Sequence, residues 1–188
     1  MTTEIAWEFS APPAEVYAGK TVVYTDGGCD LKDRGVGAWA YLAVLPDGKI
    51  DERSDGMWGT TNNRMEMTGV LHALQTMEIG EPLVIVSDSE YVLKGLTLWH
   101  HAWIKRGWLT ADGKPVKNRD LWEKLIALAG LHAIKFKHVK GHMGDWGNER
   151  VDTLCTGVIK RLRAERLAGK MFQIDQGAIP NVYSAYVA

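Results

Sequence analysis

The 188-residue chain reads as an α/β domain, a mixed β-sheet with helices packed on its faces. Three observations predict it. The first three strand-like segments follow one another through short turns, as in an antiparallel meander. The hydrophobic period then turns helical, and strands and helices alternate from there, in the order β-β-β-α-β-α-β-α. Finally, Leu83-Val84-Ile85-Val86 is wholly apolar, the pattern of a strand buried on both faces of a sheet.

The first strand is Thr21 to Thr25, ending at Asp26-Gly27-Gly28, and a charged loop holds Asp30, Lys32, Asp33 and Arg34. Val36 to Val44 reads as the second strand, and Pro46-Asp47-Gly48 turns the chain into a third, roughly Lys49 to Gly59. From Asn62, apolar residues at Met67, Val70, Leu71, Leu74 and Met77 form one helical stripe, with Thr61 or Asn62 as N-cap and Gly80 and Pro82 as the stop. Helical segments follow the fourth strand over Ser89–Leu96 and Leu98–Ile104, and the polar, basic stretch 105–118 reads as a projecting loop. Arg119 to Ala129 returns to helix, Ala133 to Val139 is the fifth strand, and a glycine-rich loop runs from Gly141 to Gly147. The last helix starts at about Asn148, with Val151, Leu154, Cys155, Val158, Ile159 and Leu162 facing inward.

Composition excludes several classes. Apolar residues make up 46% and charged residues 24%, ordinary for a soluble globular domain. No apolar run is long enough to span a membrane, and the first twenty residues lack the basic-then-apolar pattern of a signal peptide. Cys29 and Cys155, with no CxxC pair, make neither a disulfide framework nor a zinc finger, so a reducing, cytoplasmic setting is expected. The net charge of −1 argues against binding polyanions by bulk charge. It is nevertheless a cancellation: residues 1–92 hold 6 Lys/Arg and 15 Asp/Glu, and residues 93–188 hold 16 and 8. That split favours a localised nucleic-acid site.

Four carboxylates fall where the fold gathers ligands. Asp26 and Asp88 end the first and fourth strands, and parallel neighbours would deliver both to one sheet edge. Glu66 sits near the start of the intervening helix, on the core-facing margin, and Asp152 falls in the first turn of the last helix. Any one of them could equally be a cap. Together they would repel, by roughly 4 kcal/mol per pair at about 4 Å and an effective dielectric near 20, and so would need cations. Oxygen ligands select Mg²⁺ or Mn²⁺ over zinc, and two such ions suit phosphodiester hydrolysis.

Five segments resemble type 1 ribonuclease H: Tyr24-Thr25-Asp26-Gly27-Gly28-Cys29, Thr60 through Glu66, Ser87-Asp88-Ser89-Glu90-Tyr91-Val92, Trp99 to Trp122, and Val139-Lys140-Gly141-His142 through Asn148-Glu149-Arg150-Val151-Asp152. The resemblance implies a ribonuclease H-like fold, with a five-stranded mixed sheet, antiparallel through its first three strands and parallel through the first, fourth and fifth, and helices on both faces. It divides the chain into an N-terminal extension (1–19), a ribonuclease H domain (20–169, with a basic protrusion at about 99–118) and a tail (170–188). It implies cleavage of the RNA strand of an RNA–DNA hybrid, leaving 5′-phosphate and 3′-hydroxyl ends, by a monomeric chain with no membrane association. Asp26, Glu66, Asp88 and Asp152 would hold two Mg²⁺ ions, with Mn²⁺ as the alternative, and His142 would shuttle protons.

Substrate contacts carry over in the same way. Asn62 and Asn63 would read the hybrid's minor groove, where 2′-hydroxyls distinguish RNA from DNA, and Thr61 would bind a DNA phosphate at a helix start. Arg64, Glu90 and Asn148 would line the substrate. Trp99, Trp103, Lys105, Arg106, Trp108, Lys114 and Lys117 form the protrusion that grips DNA, with at least one of Trp99 and Trp103 mostly packing and Trp122 in the core. Tyr183 and Tyr186 of the tail would pack on the body or mediate self-association.

Three departures stand out. Ile104, Leu109 and Gly113 occupy positions where bacterial relatives often carry lysine. Glu90 replaces a customary glutamine, and only accepts hydrogen bonds when ionised. The loop from Asp30 to Gly35 lacks the usual Gly-Asn-Pro-Gly-type sequence. His138 and His142 make half a zinc site, with no second Cys/His pair nearby. Alternative functions are a transposase- or resolvase-like nuclease of the same fold, which would not be expected to carry Asn62-Asn63 or the protrusion, and a catalytically silent hybrid-binding module, which would lack a carboxylate.

Overall fold

The computed structural model describes residues 19–141 and 144–168. Expectations for His142, for the tail with Tyr183 and Tyr186, and for the N-terminal extension up to residue 18 fall outside them. Five strands form one sheet in the order β3-β2-β1-β4-β5: β1 (Thr21–Asp30), β2 (Val36–Val44), β3 (Ile50–Met57), β4 (Pro82–Ser87) and β5 (Ala133–His138). β1 pairs antiparallel with β2, and β2 with β3. β1 pairs parallel with β4, from Thr21↔Leu83 to Tyr24↔Val86, and β4 with β5. The mixed topology expected from the sequence is the one observed.

Alternation along the strands divides the core in two. Val23, Tyr41 and Ile85 face a layer built from α1 (Asn62–Thr76) and α4 (Arg119–Ala129), where Met67, Val70, Leu71, Leu74, Trp122 and Leu125 are buried. Val22, Tyr24, Val84 and Val86 face α5 (Trp146–Leu167) and its Val151, Cys155, Val158 and Leu162. At about 1.5–3 kcal/mol for each large apolar side chain removed from water, these two layers dominate the stabilising side of folding. β3 is an exposed edge strand carrying Asp51, Glu52, Arg53 and Asp55, charges that discourage further strand pairing.

Three elements differ from expectation. β1 does not end at Thr25, because β2 goes on supplying hydrogen-bond partners from Gly27↔Trp39 to Asp30↔Val36 after β4 has stopped. The two helical segments after Ser89 are not separated. α2 (Glu90–Lys94) and α3 (His100–Lys105) join through a π-helical turn, Gly95–Trp99. The cause is at hand: the Trp122 ring lies on Gly95, where a Cβ would stand 2.0 Å from its Cη2. Such local widening of a helix accommodates an intruding group.

Lastly, α5 begins at Trp146 and not at Asn148. Asp145 is its N-cap, its Oδ1 accepting from the Asn148 N–H at 3.2 Å. Asp152 is therefore in the second turn of the helix, one turn further in than its expected place.

Candidate active site

The parallel register sets two of the acids level. Tyr24 is opposite Val86, so two residues further on Asp26 in β1 is level with Asp88, just beyond the end of β4. Asp26 shares a sheet face with Val22 and Tyr24, toward α5, and the Cys155 thiol of α5 points at its carbonyl oxygen, 3.7 Å away. Its own Oδ1 accepts from the Gly27 N–H at 2.7 Å.

Glu66 arrives from the opposite layer. A Cβ at Gly27 would lie 2.1 Å from the Glu66 nitrogen and 2.2 Å from the Met65 carbonyl carbon. Only glycine lets α1 lie against β1 this closely, beside Asp26. Glu66 Oε2 is then fixed by the Ser89 hydroxyl, which donates at 2.5 Å from the N-cap of α2. Ser89 was not singled out by sequence reasoning; its place one residue after Asp88, at a helix start, was the available signal.

All four acids are half-buried. Burial is the main cause that lifts the Asp26 carboxyl from 3.8 to about 7, followed by Asp88, with Asp152 and Glu66 adding to it and the Gly27 N–H opposing it. Burial also raises Glu66, assisted by Asp88 and opposed by Ser89. The structure thus brings Asp26, Glu66, Asp88 and Asp152 into one mutually repelling group. Among the described residues no three His, Cys, Asp or Glu side chains already converge as a ready ligand shell. The donors are all carboxylate oxygens, and Asp26 sits where ionisation is costly without a positive partner. That chemistry fits hard divalent cations.

The chain passes this group again just before His142. Gly141 runs so near Asp88 that a Cβ there would lie 2.7 Å from Oδ2.

Around the acids, Thr61 caps α1, its Oγ accepting from the Arg64 N–H at 3.4 Å, and Asn62 and Asn63 are exposed in the first turn. Lys105, Arg106 and Lys117 are exposed and, among the described residues, have no carboxylate partner. Lys114 pairs with Asp112 at 2.8 Å, and Glu90 with Lys94 at 2.5 Å. Trp103 and Trp122 are core residues, Trp99 is 37% exposed, and Arg119 lies over the half-buried Trp108 ring. Two further residues expected at the substrate have surroundings of their own. Asn148 is buried, with its Oδ1 enclosed and unpartnered, and the Arg64 guanidinium is occupied by Asp120 and Asn118.

Comparison with known proteins follows from this geometry. A family model described as RNase H matches residues 18–160. The chain is 44% identical over 154 residues to a ribonuclease H of Polaromonas naphthalenivorans, covering 81% of this chain and 94% of the relative. It is 46% identical over 133 residues to that of Xanthomonas campestris pv. campestris, covering 71% and 87%. Among solved structures, a type 1 RNase H with the type 2 active-site motif matches at 27% identity and a TM-score of 0.66, over 81% of this chain and 75% of that one. A foamy viral protease-reverse transcriptase in complex with RNA/DNA hybrid, at 21% identity and a TM-score of 0.67, covers 86% of this chain and 22% of that one and shares the fold.

Proposed function

The chain belongs to the ribonuclease H family, and on that premise we propose that it hydrolyses the RNA strand of RNA–DNA hybrids at internal phosphodiesters, leaving 5′-phosphate and 3′-hydroxyl ends. The observation that carries this reading is the gathering of four carboxylates at the sheet edge, where burial first and the neighbouring acids second raise the Asp26 carboxyl to about 7. Asp26, Glu66, Asp88 and Asp152 would hold two divalent ions, Mg²⁺ or Mn²⁺. Bound there, such ions supply the Lewis acidity and charge neutralisation that phosphodiester hydrolysis requires.

The chain's own residues do the rest. Ser89 fixes the orientation of Glu66 through its hydroxyl. His142 would accept and return a proton during turnover. The exposed amides of Asn62 and Asn63 read base edges and 2′-hydroxyls across the hybrid's shallow minor groove. Thr61 and the free N–H groups at the start of α1 receive a phosphate of the DNA strand. Trp99, Trp108, Lys105, Arg106 and Lys117 hold the DNA strand further along. Among the described residues no helix is long and apolar enough to cross a membrane; both cysteines are free thiols, which suits a reducing compartment, and the chain acts as a monomer.

The test is direct. Labelled RNA–DNA hybrid, duplex DNA and duplex RNA are incubated with the protein and Mg²⁺, and the products are mapped. Cutting confined to the RNA of the hybrid is the expected result. Cutting of duplex DNA with the hybrid left intact would instead favour a transposase- or resolvase-like nuclease, and binding without cutting a silent module.

A further inference from the structure

Arg64 stands two residues before Glu66 and directly after Asn62 and Asn63, a place from which a guanidinium could reach a phosphate. It does something else. Nη1 donates to Asp120 Oδ1 at 3.0 Å and Nη2 to Oδ2 at 2.8 Å, a two-pronged pair between α1 and the first turn of α4. Nη1 also donates to Asn118 Oδ1 at 3.4 Å. The pair is partly exposed, with side chains 35% and 58% accessible, so it adds little to stability. What a forked guanidinium–carboxylate contact does supply is fixed mutual orientation.

Asn118 extends the contact. It occupies the N-cap position of α4 with φ 58°, in the left-handed region, yet its side chain caps nothing. Instead its Nδ2 donates to Tyr91 Oη at 3.3 Å. The same hydroxyl accepts from Trp122 Nε1 at 3.2 Å and donates to the Lys117 carbonyl at 3.5 Å. Tyr91 Oη thereby uses its one donor and both acceptor positions.

Three segments meet here: the α1 turn leading to Glu66, the first turn of α2 with Tyr91 three residues after Asp88, and the end of the protrusion. The protrusion is itself closed, with the Val116 N–H donating to the Trp108 carbonyl at 2.9 Å and an isolated bridge between Leu109 and Pro115. Its base is packed through buried Trp103 and Val116, and what non-directional apolar packing leaves to polar contacts is the exact orientation of its exposed cations relative to the carboxylates.

We propose that Arg64, through Asp120 and Asn118, is a positioning residue that fixes the protrusion against α1, so that a hybrid gripped by the one is presented in register to the carboxylates beside the other. This rests on the hybrid-cleavage reading above. Small misplacements of a bound substrate cost reaction efficiency steeply.

The experiment compares wild type, Asp120→Asn, Asp120→Ala, Arg64→Ala and the charge exchange R64D/D120R on a hybrid of defined sequence. KM, kcat, the map of cut sites and the melting temperature are measured for each. Both Asp120 variants should lower kcat at saturating hybrid on the order of tenfold, change KM less, and spread cutting to neighbouring phosphodiesters. The exchange should restore most of the lost kcat and the cut-site map. Folded Asp120 variants with unchanged kcat and cut sites, whatever their melting temperature, overturn the proposal. So does a rise in KM seen only when Arg64 is changed and not reversed by the exchange, which would mean direct contact with phosphate. Failure of the wild type to cut hybrid overturns the functional reading and this inference together, whereas the two preceding outcomes overturn the inference alone.

Discussion

Replacing Asp26 by asparagine removes a charge that the fold holds at a cost. Burial and the carboxylates of Asp88, Asp152 and Glu66 raise its carboxyl from 3.8 to about 7. At about 1.4 kcal/mol per pH unit, ionised Asp26 costs the metal-free fold about 4 kcal/mol. The folded group binds its proton more tightly than the unfolded one. Stability therefore falls as pH rises through the interval from 3.8 to about 7, and the cost is complete above it. Asparagine carries no such cost. In EDTA, Asp26→Asn should be more stable than wild type by about 4 kcal/mol near pH 8, and by little near pH 4. Set against a typical total of about 5–15 kcal/mol, that is readily measured by urea unfolding followed by tryptophan fluorescence. Adding Mg²⁺ should stabilise wild type more than the variant, since a ligand of the native state stabilises by mass action. Hybrid cleavage should be lost in the variant. If Asp26→Asn is no more stable at pH 8, or if its advantage is the same at both pH values, Asp26 does not sit in a mutually repelling group and the site assignment fails.

Two further outcomes are expected. Gly95→Ala places a methyl 2.0 Å from the Trp122 ring, which should destabilise by about 1–3 kcal/mol in thermal unfolding, as overpacking does; an unchanged melting temperature would mean that the π-helical turn does not depend on that contact. His142→Ala should slow single-turnover cleavage by about 10²–10⁴-fold, the range for acid–base assistance, whereas Asp88→Asn should abolish it; equal loss in both would remove the proton-shuttle role.

Periodicity reaches as far as elements that carry their own pattern. β2, β4, α1 and α4 are readable because their apolar stripes are complete within the segment. β1 is read short because Gly27-Gly28 looks like a turn, when Gly27 is the point where α1 presses on the strand. Gly147 misleads in the same way: it lies inside α5, where a Cβ would stand 2.5 Å from the Tyr24 ring. Both glycines serve close packing and not chain reversal, and a single sequence does not separate the two uses. The fate of Arg64 is set by Asp120, 56 residues away, and local pattern carries no trace of so distant a partner. The acids and their mutual repulsion are legible from strand ends and helix starts, and the family resemblance sharpens the set; the burial that is the main cause of the raised Asp26 carboxyl exists only in the fold.

The charge split between the halves of the chain acquires a structural meaning from the ion pairs. Arg150, Arg161, Arg163 and Arg166 of α5 reach across the sheet to Glu52, Asp55, Asp30 and Asp33. Basic residues of the second half thus pair with acids of the first. Among the described residues no ion pair includes Asp26, Glu66, Asp88 or Asp152. Yet Asp152 stands on the same helix as those four arginines, two residues after Arg150. Arginine is therefore close at hand in sequence but directed away, toward the β1–β2 loop and β3. A guanidinium turned onto Asp26 would lower the cost of its ionisation and improve stability, and would compete for the position a divalent cation would take. The fold leaves that repulsion uncompensated at one edge while cancelling it elsewhere, and this selective pairing, more than the presence of acids, distinguishes the proposed metal-binding cluster from an acidic surface.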